Sequence, residues 1–150
     1  MVFNFASQIE LDEYIGFSID NNPYCINIEY VQEIIYVPVI SKIPQAPPYV
    51  EGAINLRGKI MRIFNLRKWF RLPWKPIDNN TQIIVIDLKE DMFGILVDEV
   101  YEVFRCKSQD KHEIPFLLAQ QPEISYAKSV ILEEDDIFVE IFPDVLLESK

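Results

Sequence analysis

The sequence predicts a mostly β protein, and three observations support this prediction. Apolar residues recur at a period of two in most segments, as at Phe93, Ile95 and Val97. The segments are short, and proline, glycine, asparagine or aspartate separates them. Roughly ten short strands with few helical turns fit one β-barrel, or a pair of barrels, better than a layered α/β fold.

The first predicted element is a β-hairpin. Residues 14–19 (YIGFSI) read as a strand, and residues 20–23 (DNNP) are typical of a turn. Tyr24, Ile26 and Ile28 then recur at every second position, which predicts the returning strand.

The pattern changes after this hairpin. Val31, Ile34 and Ile35 have the i, i+3, i+4 spacing of a helix face, so residues 31–35 predict one or two helical turns. Four prolines between residues 38 and 48 remove backbone donors. That region is therefore predicted to be an edge strand followed by an extended loop.

A second hairpin and a short helix are predicted between residues 54 and 71. Strands at 54–56 and 60–64 flank a turn at Gly58-Lys59, and Asn65 is a good helix N-cap. The helix would bury Leu66, Trp69 and Phe70 and leave Arg67, Lys68 and Arg71 in water.

A buried strand and a bend are predicted next. Residues 81–88 (TQIIVIDL) are apolar at consecutive positions, as in a strand covered on both faces. The alternation that begins at Phe93 changes phase at Asp98-Glu99, which predicts a bulge or bend. Such a bend suits a strand that leaves one small barrel and enters another.

The last part of the chain predicts a long loop and a final hairpin. Residues 107–125 form a loop longer than ordinary connections. Strands at 130–132 and 137–142 flank the acidic turn 133–136, and Pro143 opens a short closing helix.

The composition excludes most catalytic classes. The chain has one histidine, His112, in a polar loop, and it has no phosphate-binding glycine loop, no nucleophile motif and no metal-ligand spacing. We therefore expect no enzyme activity, no metal and no cofactor. Cys25 and Cys106 lie in apolar segments and are expected to be buried thiols in a reducing, cytoplasmic environment. No apolar run is long enough to span a membrane, so no membrane insertion is expected.

A basic stretch stands out in this acidic chain. Residues 52–77 hold seven of the fourteen cations and no acid, although the net charge is −10. Cations beside aromatic rings resemble a nucleic-acid surface, but the overall charge would repel a polyanion. We interpret the stretch as a binding hairpin and helix directed at acidic protein partners, and we expect no nucleic-acid partner.

Four successive segments resemble the CheW-like domain family: INIEYVQEII, IPQAPPYVEGAINLRGKI, FNLRKWF and FGILVDEVYEVF. The resemblance implies one domain over residues 9–148, built of two five-stranded SH3-like β-barrels around a shared core, with a few short helices. It also implies a non-catalytic adaptor that couples chemoreceptor tips to the regulatory domain of the histidine kinase CheA.

The resemblance carries roles to individual residues. Those expected at the receptor are Asn55, Arg57, Gly58, Val100 and Val103, and those expected at the kinase are Val31, Glu33, Ile34, Phe116 and Leu117. An outward Arg57 suits acidic or carbonyl groups on a helical bundle. We favour this role over an internal ion pair, whereas we interpret Ile34 as a core residue.

Two other functions remain open from the sequence. The chain would also suit a coupler of a pilus-motility array or another non-flagellar array. A stand-alone SH3-like module that binds extended peptides would require a groove of exposed aromatic residues, for which Tyr36, Tyr49 and Trp74 are the candidates.

Overall fold

A computed structural model describes residues 11–113, 127–133 and 135–147 as two β-sheets with two short helices. The strands are β1 (Leu11–Ile19), β2 (Asn22–Asn27), β3 (Val31–Tyr36), β4 (Val50–Leu56), β5 (Lys59–Asn65), β6 (Gln82–Asp87), β7 (Met92–Val97), β8 (Glu99–Lys107), β9 (Lys111–His112), β10 (Ala127–Glu133) and β11 (Asp136–Ile141). The helices are α1 (Leu66–Trp69) and α2 (Asp144–Leu147). The predicted mostly β class is confirmed.

The two sheets have different strand orders. The six-stranded sheet runs β8-β1-β2-β11-β10-β9, and the five-stranded sheet runs β3-β6-β7-β5-β4. β7 ends at Val97 in the smaller sheet, and β8 begins at Glu99 in the larger one. The bend predicted at Asp98-Glu99 is therefore confirmed, and it is where the chain returns from the five-stranded sheet to the six-stranded sheet.

The main core lies between the sheets and draws on both. It includes Phe17 and Tyr24 from the larger sheet and Phe64 and Phe93 from the smaller one. β6 is buried on both faces as predicted, since its residues alternate between the main core and a second cluster. That second cluster comprises Ile54, Met61, Ile63, Ile83, Val85 and Leu96.

The prediction of helical turns at residues 31–35 is wrong, because this segment is strand β3. Its pairing with β6 shifts between Val31 and Glu33, so Gln32 is an extra residue in a bulge. The bulge turns Val31 and Ile34 toward the same core. An i, i+3 spacing therefore arose in a strand, and the β-branched side chains favour that strand.

The second predicted hairpin and its helix are confirmed, except that the turn lies one residue earlier than predicted and that the Arg67 side chain is largely buried. Asn65 caps α1 by accepting a hydrogen bond from the Lys68 backbone N–H at 3.2 Å. Leu66, Trp69 and Phe70 are buried as expected. The Arg67 side chain, expected in water, is only 12% exposed, because two acids and a carbonyl surround it.

Both thiols are free and buried in the six-stranded sheet, as predicted. Burial raises the pKa of the Cys106 thiol to about 11 and raises that of Cys25 as well. Only a thiolate attacks a disulfide reagent at an appreciable rate. We therefore expect neither cysteine of the folded protein to react with Ellman's reagent at pH 8, whereas both react after unfolding in guanidinium. Rapid modification of either thiol in the folded protein would contradict the burial.

Candidate functional site

The turn between β4 and β5 is formed by Arg57 and Gly58, one residue earlier than the predicted Gly58-Lys59 turn. Arg57 and Gly58 both have positive φ, 50° and 88°. This is the conformation of a two-residue type I′ hairpin, which matches the twist of the flanking strands. Asn55 Oδ1 accepts a hydrogen bond from the Gly58 backbone N–H at 2.9 Å. Asn55 and Gly58 therefore have a local structural role that presents Arg57.

Arg57 lies at the surface and forms an ion pair within the chain. Its side chain is 67% exposed, and its guanidinium donates to the carboxylate of Glu33 in β3. The sequence favours a binding role for Arg57 over an internal ion pair. The structure contains this ion pair, and it also leaves the guanidinium accessible to a partner protein. An ion pair this exposed contributes at most about 1 kcal/mol. A partner carboxylate can therefore compete for Arg57 at low cost.

The Arg57–Glu33 pair joins the two predicted sets of binding residues, because Arg57 was assigned to the receptor and Glu33 to the kinase. Together with Gln32 and Lys59, Arg57 lines a shallow cavity of about 170 Å³. This cavity is too small for a drug-sized ligand. The site therefore suits surface recognition of another protein.

The structure separates the remaining predicted residues. Val31, Ile34 and Val100 are half-buried and pack against the main core, so the interpretation of Ile34 as a core residue is confirmed. Val103 is 48% exposed on β8 of the other sheet, where it lines a different cavity from Arg57. Phe116 and Leu117 lie outside the described residues.

Most of the basic stretch is neutralised by acids of the same chain. Five of its seven cations form ion pairs: Arg57–Glu33, Arg62–Asp91 at 2.7 Å, Arg67–Asp98 at 2.6 Å, Lys68–Glu51 at 3.1 Å and Lys75–Asp78 at 3.4 Å. Lys59 and Arg71 are exposed and form no ion pair within the described ranges. The interpretation of the whole stretch as a surface for acidic partners is therefore too broad.

These acids were not found from the sequence because tertiary structure supplies most of them. Glu51 illustrates the effect, since it accepts from Asn65 Nδ2 at 2.9 Å and pairs with Lys68. Burial alone would raise the pKa of Glu51, but hydrogen bonds from Asn65 and Lys68, together with the positive charges of Lys68 and Lys42, outweigh burial and lower it. Of the five ion pairs, only Lys75–Asp78 joins residues that are close in sequence, three positions apart, so only this pair could be predicted from local spacing.

The described residues contain no group of three or more histidines, cysteines or acids arranged to hold a metal. His112, the one histidine, is exposed in β9. None of the described helices is long and apolar enough to cross a membrane.

The three aromatic residues proposed for peptide binding have different environments. Tyr36 is 71% exposed and Trp74 is 78% exposed. Tyr49 is half-buried, with its ring 4.4 Å from that of Trp69. Two of the three are therefore available to a peptide, and the third belongs to the core.

A comparison with protein families matches residues 13–149 to the CheW-like domain. The chain belongs to the CheW-like domain family. It is 33% identical over 124 residues to the chemotaxis protein CheW of Rhizobium meliloti, which covers 81% of this chain and 78% of the relative. It is 32% identical over 114 residues to that of Klebsiella aerogenes, which covers 76% of this chain and 69% of the relative.

A solved structure of the family has the same fold. The scaffolding protein TtCheW of Thermoanaerobacter tengcongensis superposes with a TM-score of 0.82 at 26% identity, covering 89% of this chain and 90% of that one. The predicted resemblance is confirmed, and the chain is a member of a family of chemotaxis scaffold proteins. The names of these relatives denote chemotaxis and scaffolding proteins.

Proposed function

We propose that this CheW-like chain is a non-catalytic adaptor that couples the cytoplasmic tips of chemoreceptors to the regulatory domain of a CheA-type histidine kinase. In this proposal the chain works in the cytoplasm, and residues 9–148 form one domain made of two barrel subdomains. Its membership of a chemotaxis scaffold family supports the general role. The observation that carries the receptor assignment is the exposed guanidinium of Arg57 on a rigid turn.

The receptor contact depends on pre-organisation. The turn is fixed by the hydrogen bond from the Gly58 backbone N–H to Asn55 Oδ1, so little backbone entropy is lost when Arg57 binds. A guanidinium offers five donors in a planar fork, which suits carboxylate and carbonyl groups at the tip of a helical bundle. Val103, exposed on β8, and the nearby Val100 belong to this proposal by resemblance only.

The kinase contact is proposed at β3. This strand is an edge of the five-stranded sheet, and its Val31 and Glu33 are both partly exposed. A partly exposed valine beside a carboxylate suits an interface with an apolar centre and a polar rim. Ile34, which packs against the main core, would support this strand from behind, and Phe116 and Leu117 would supply a second contact.

The receptor assignment predicts that Arg57→Glu weakens binding of a purified chemoreceptor cytoplasmic fragment by about tenfold or more. Charge reversal removes the donors and adds repulsion, and a tenfold loss corresponds to about 1.4 kcal/mol. Titration calorimetry at low salt measures the affinity. Arg62→Glu is the matched control, because Arg62 lies in the same hairpin and also has one acidic partner, Asp91.

An equal loss in both variants would refute a specific role for Arg57. A second control separates the receptor contact from the ion pair with Glu33. The double variant Arg57→Glu with Glu33→Arg restores an intramolecular pair of reversed polarity. We expect this variant to melt like the wild type and still bind the receptor fragment weakly, whereas recovered binding would assign Arg57 a purely structural role.

A further inference from the structure

A groove of about 910 Å³ opens on the six-stranded sheet, away from the Arg57 turn. It is bordered by the edge strand β8, the β1–β2 turn and the β10–β11 turn. The lining residues are Glu13, Asn21, Pro23, Tyr101, Glu102, Val103, Phe104, Arg105, Glu133, Asp136 and Phe138. Of these lining residues, the family resemblance and the proposed function use only Val103, as a receptor contact.

The floor of the groove is aromatic and closely packed. The Phe138 ring lies 4.8 Å from that of Phe104 and 6.4 Å from that of Tyr101, edge to face with the latter. A Cβ at Gly16 would lie 3.0 Å from the Phe138 ring and 3.5 Å from each of the other two. Gly16 therefore lets the three rings rest against β1. Tyr101 is 41% exposed, so its ring is available to a ligand.

The rim of the groove is acidic. Four carboxylates line it and one cation, Arg105, opposes them, which gives a local charge of −3. Arg105 is held by Glu13, whose carboxylate accepts from its Nε at 3.2 Å. Glu102, Glu133 and Asp136 form no ion pair with any side chain that the structure describes.

The groove runs along β8, an edge strand of the six-stranded sheet. Among the residues that the structure describes, β8 pairs with β1 on one side and with no strand on the other. Edge strands bind extended segments through backbone hydrogen bonds, while alternate side chains enter neighbouring pockets. Val103, 48% exposed beside Tyr101, adds an apolar contact for such a segment.

We propose that this groove binds an extended basic segment of a partner protein, with an arginine or lysine over the Tyr101 ring and its charge near the Glu102, Glu133 and Asp136 carboxylates. Cation–π contact and charge-assisted hydrogen bonds both favour this occupant. An acidic segment or a nucleic acid would be repelled. A second copy of the chain is a poorer occupant, because five of the seven cations of its basic stretch are paired internally. This interaction goes beyond receptor–kinase coupling and requires neither of those partners.

The test uses the isotope-labelled full chain and a nine-residue peptide of alternating arginine and valine, followed by NMR chemical shifts at low salt. We expect the largest shifts at residues 101–105 and at Phe138. The double variant Glu102→Gln with Glu133→Gln should weaken binding at least fivefold, and Tyr101→Ala should weaken it at least threefold. Glu90→Gln, which neutralises an exposed acid in the β6–β7 turn, is the matched control and should leave the affinity unchanged.

Three results would overturn the proposal. The first is shifts spread over acidic residues outside the groove, with Glu90→Gln as damaging as the groove variants. The second is equal binding of the same peptide with glutamate in place of arginine. The third is concentration-dependent shifts in the groove without peptide, which would make a second copy the occupant. Because the assay contains no receptor or kinase, its failure leaves the Arg57 experiment untouched.

Discussion

Replacing Gly52 by alanine is expected to lower the free energy of unfolding by about 3 kcal/mol or more. Gly52 lies in β4 with a φ of 152°, and a Cβ there would stand 2.3 Å from the Ser41 carbonyl oxygen and 2.7 Å from Ile40 Cγ2. Ser41 cannot move away easily, because two backbone hydrogen bonds of 2.8 and 2.9 Å tie it to Ala53. The substitution therefore combines backbone strain with a collision against fixed backbone, and urea unfolding measures the loss.

Gly58→Ala is the matched control for this prediction. Gly58 also has a positive φ, 88°, but a Cβ at this position would have no neighbouring atom within 4 Å, so only the backbone strain remains. We expect a cost of about 1 kcal/mol, the lower part of the range for a strained residue. If Gly52→Ala lowers the free energy of unfolding by no more than Gly58→Ala does, residues 40–41 do not lie as close to β4 as the structure indicates.

The second large effect is expected at Arg67, where Arg67→Met should destabilise the protein by about 3 kcal/mol. Arg67 and Asp98 are only 12% and 13% exposed, and their side chains meet at 2.6 Å. Arg67 Nε also donates to the Pro73 carbonyl at 3.0 Å, and Asp98 accepts from the Asp20 backbone N–H at 2.8 Å. The pair thus ties α1 to the bend between the two sheets. Removing the arginine leaves Asp98 buried without its counter-charge.

Lys75→Met is the control, since the Lys75–Asp78 pair is exposed to solvent and should contribute little to stability. Adding Asp98→Asn to Arg67→Met should cost less than the sum of the two single changes, because the groups interact directly. Thermal and denaturant unfolding of the wild type, Arg67→Met, Asp98→Asn and the double variant measure this double-mutant cycle. Equal effects of Arg67→Met and Lys75→Met would show that burial at the bend does not strengthen the pair.

The β4–β5 tip could be predicted from the sequence because the interactions that form it are local. Asn55 and Gly58 are three residues apart, and the turn needs only a residue that accepts positive φ and a side chain that closes the loop. The partner of Arg57 could not be predicted in the same way. Glu33 is 24 positions away, and it reaches the turn only because β3 lies in the same sheet.

At residues 31–35, pairing with a distant strand also decides the secondary structure, and the sequence did not predict it. The apolar spacing of this segment is that of a helix face, but a bulge opposite β6 produces the same spacing in a strand. The acidic groove is a related case, because the β8 residues and the β10–β11 turn are about thirty positions apart and meet only in the folded sheet. The sequence identified the turn at residues 133–136 as acidic, but not the aromatic floor beside it.

By itself, the sequence determined the β-rich class, the three predicted hairpins, the capped helix after Asn65, the buried strand β6 and the family. Alternation, turn residues and caps act over a few positions, so the chain records them directly. Tertiary structure alone decided which acids neutralise the basic stretch, that Arg67 is buried, and where a groove opens. These features depend on the pairing of distant strands, whose charges and rings come together only when the two sheets fold around their common core.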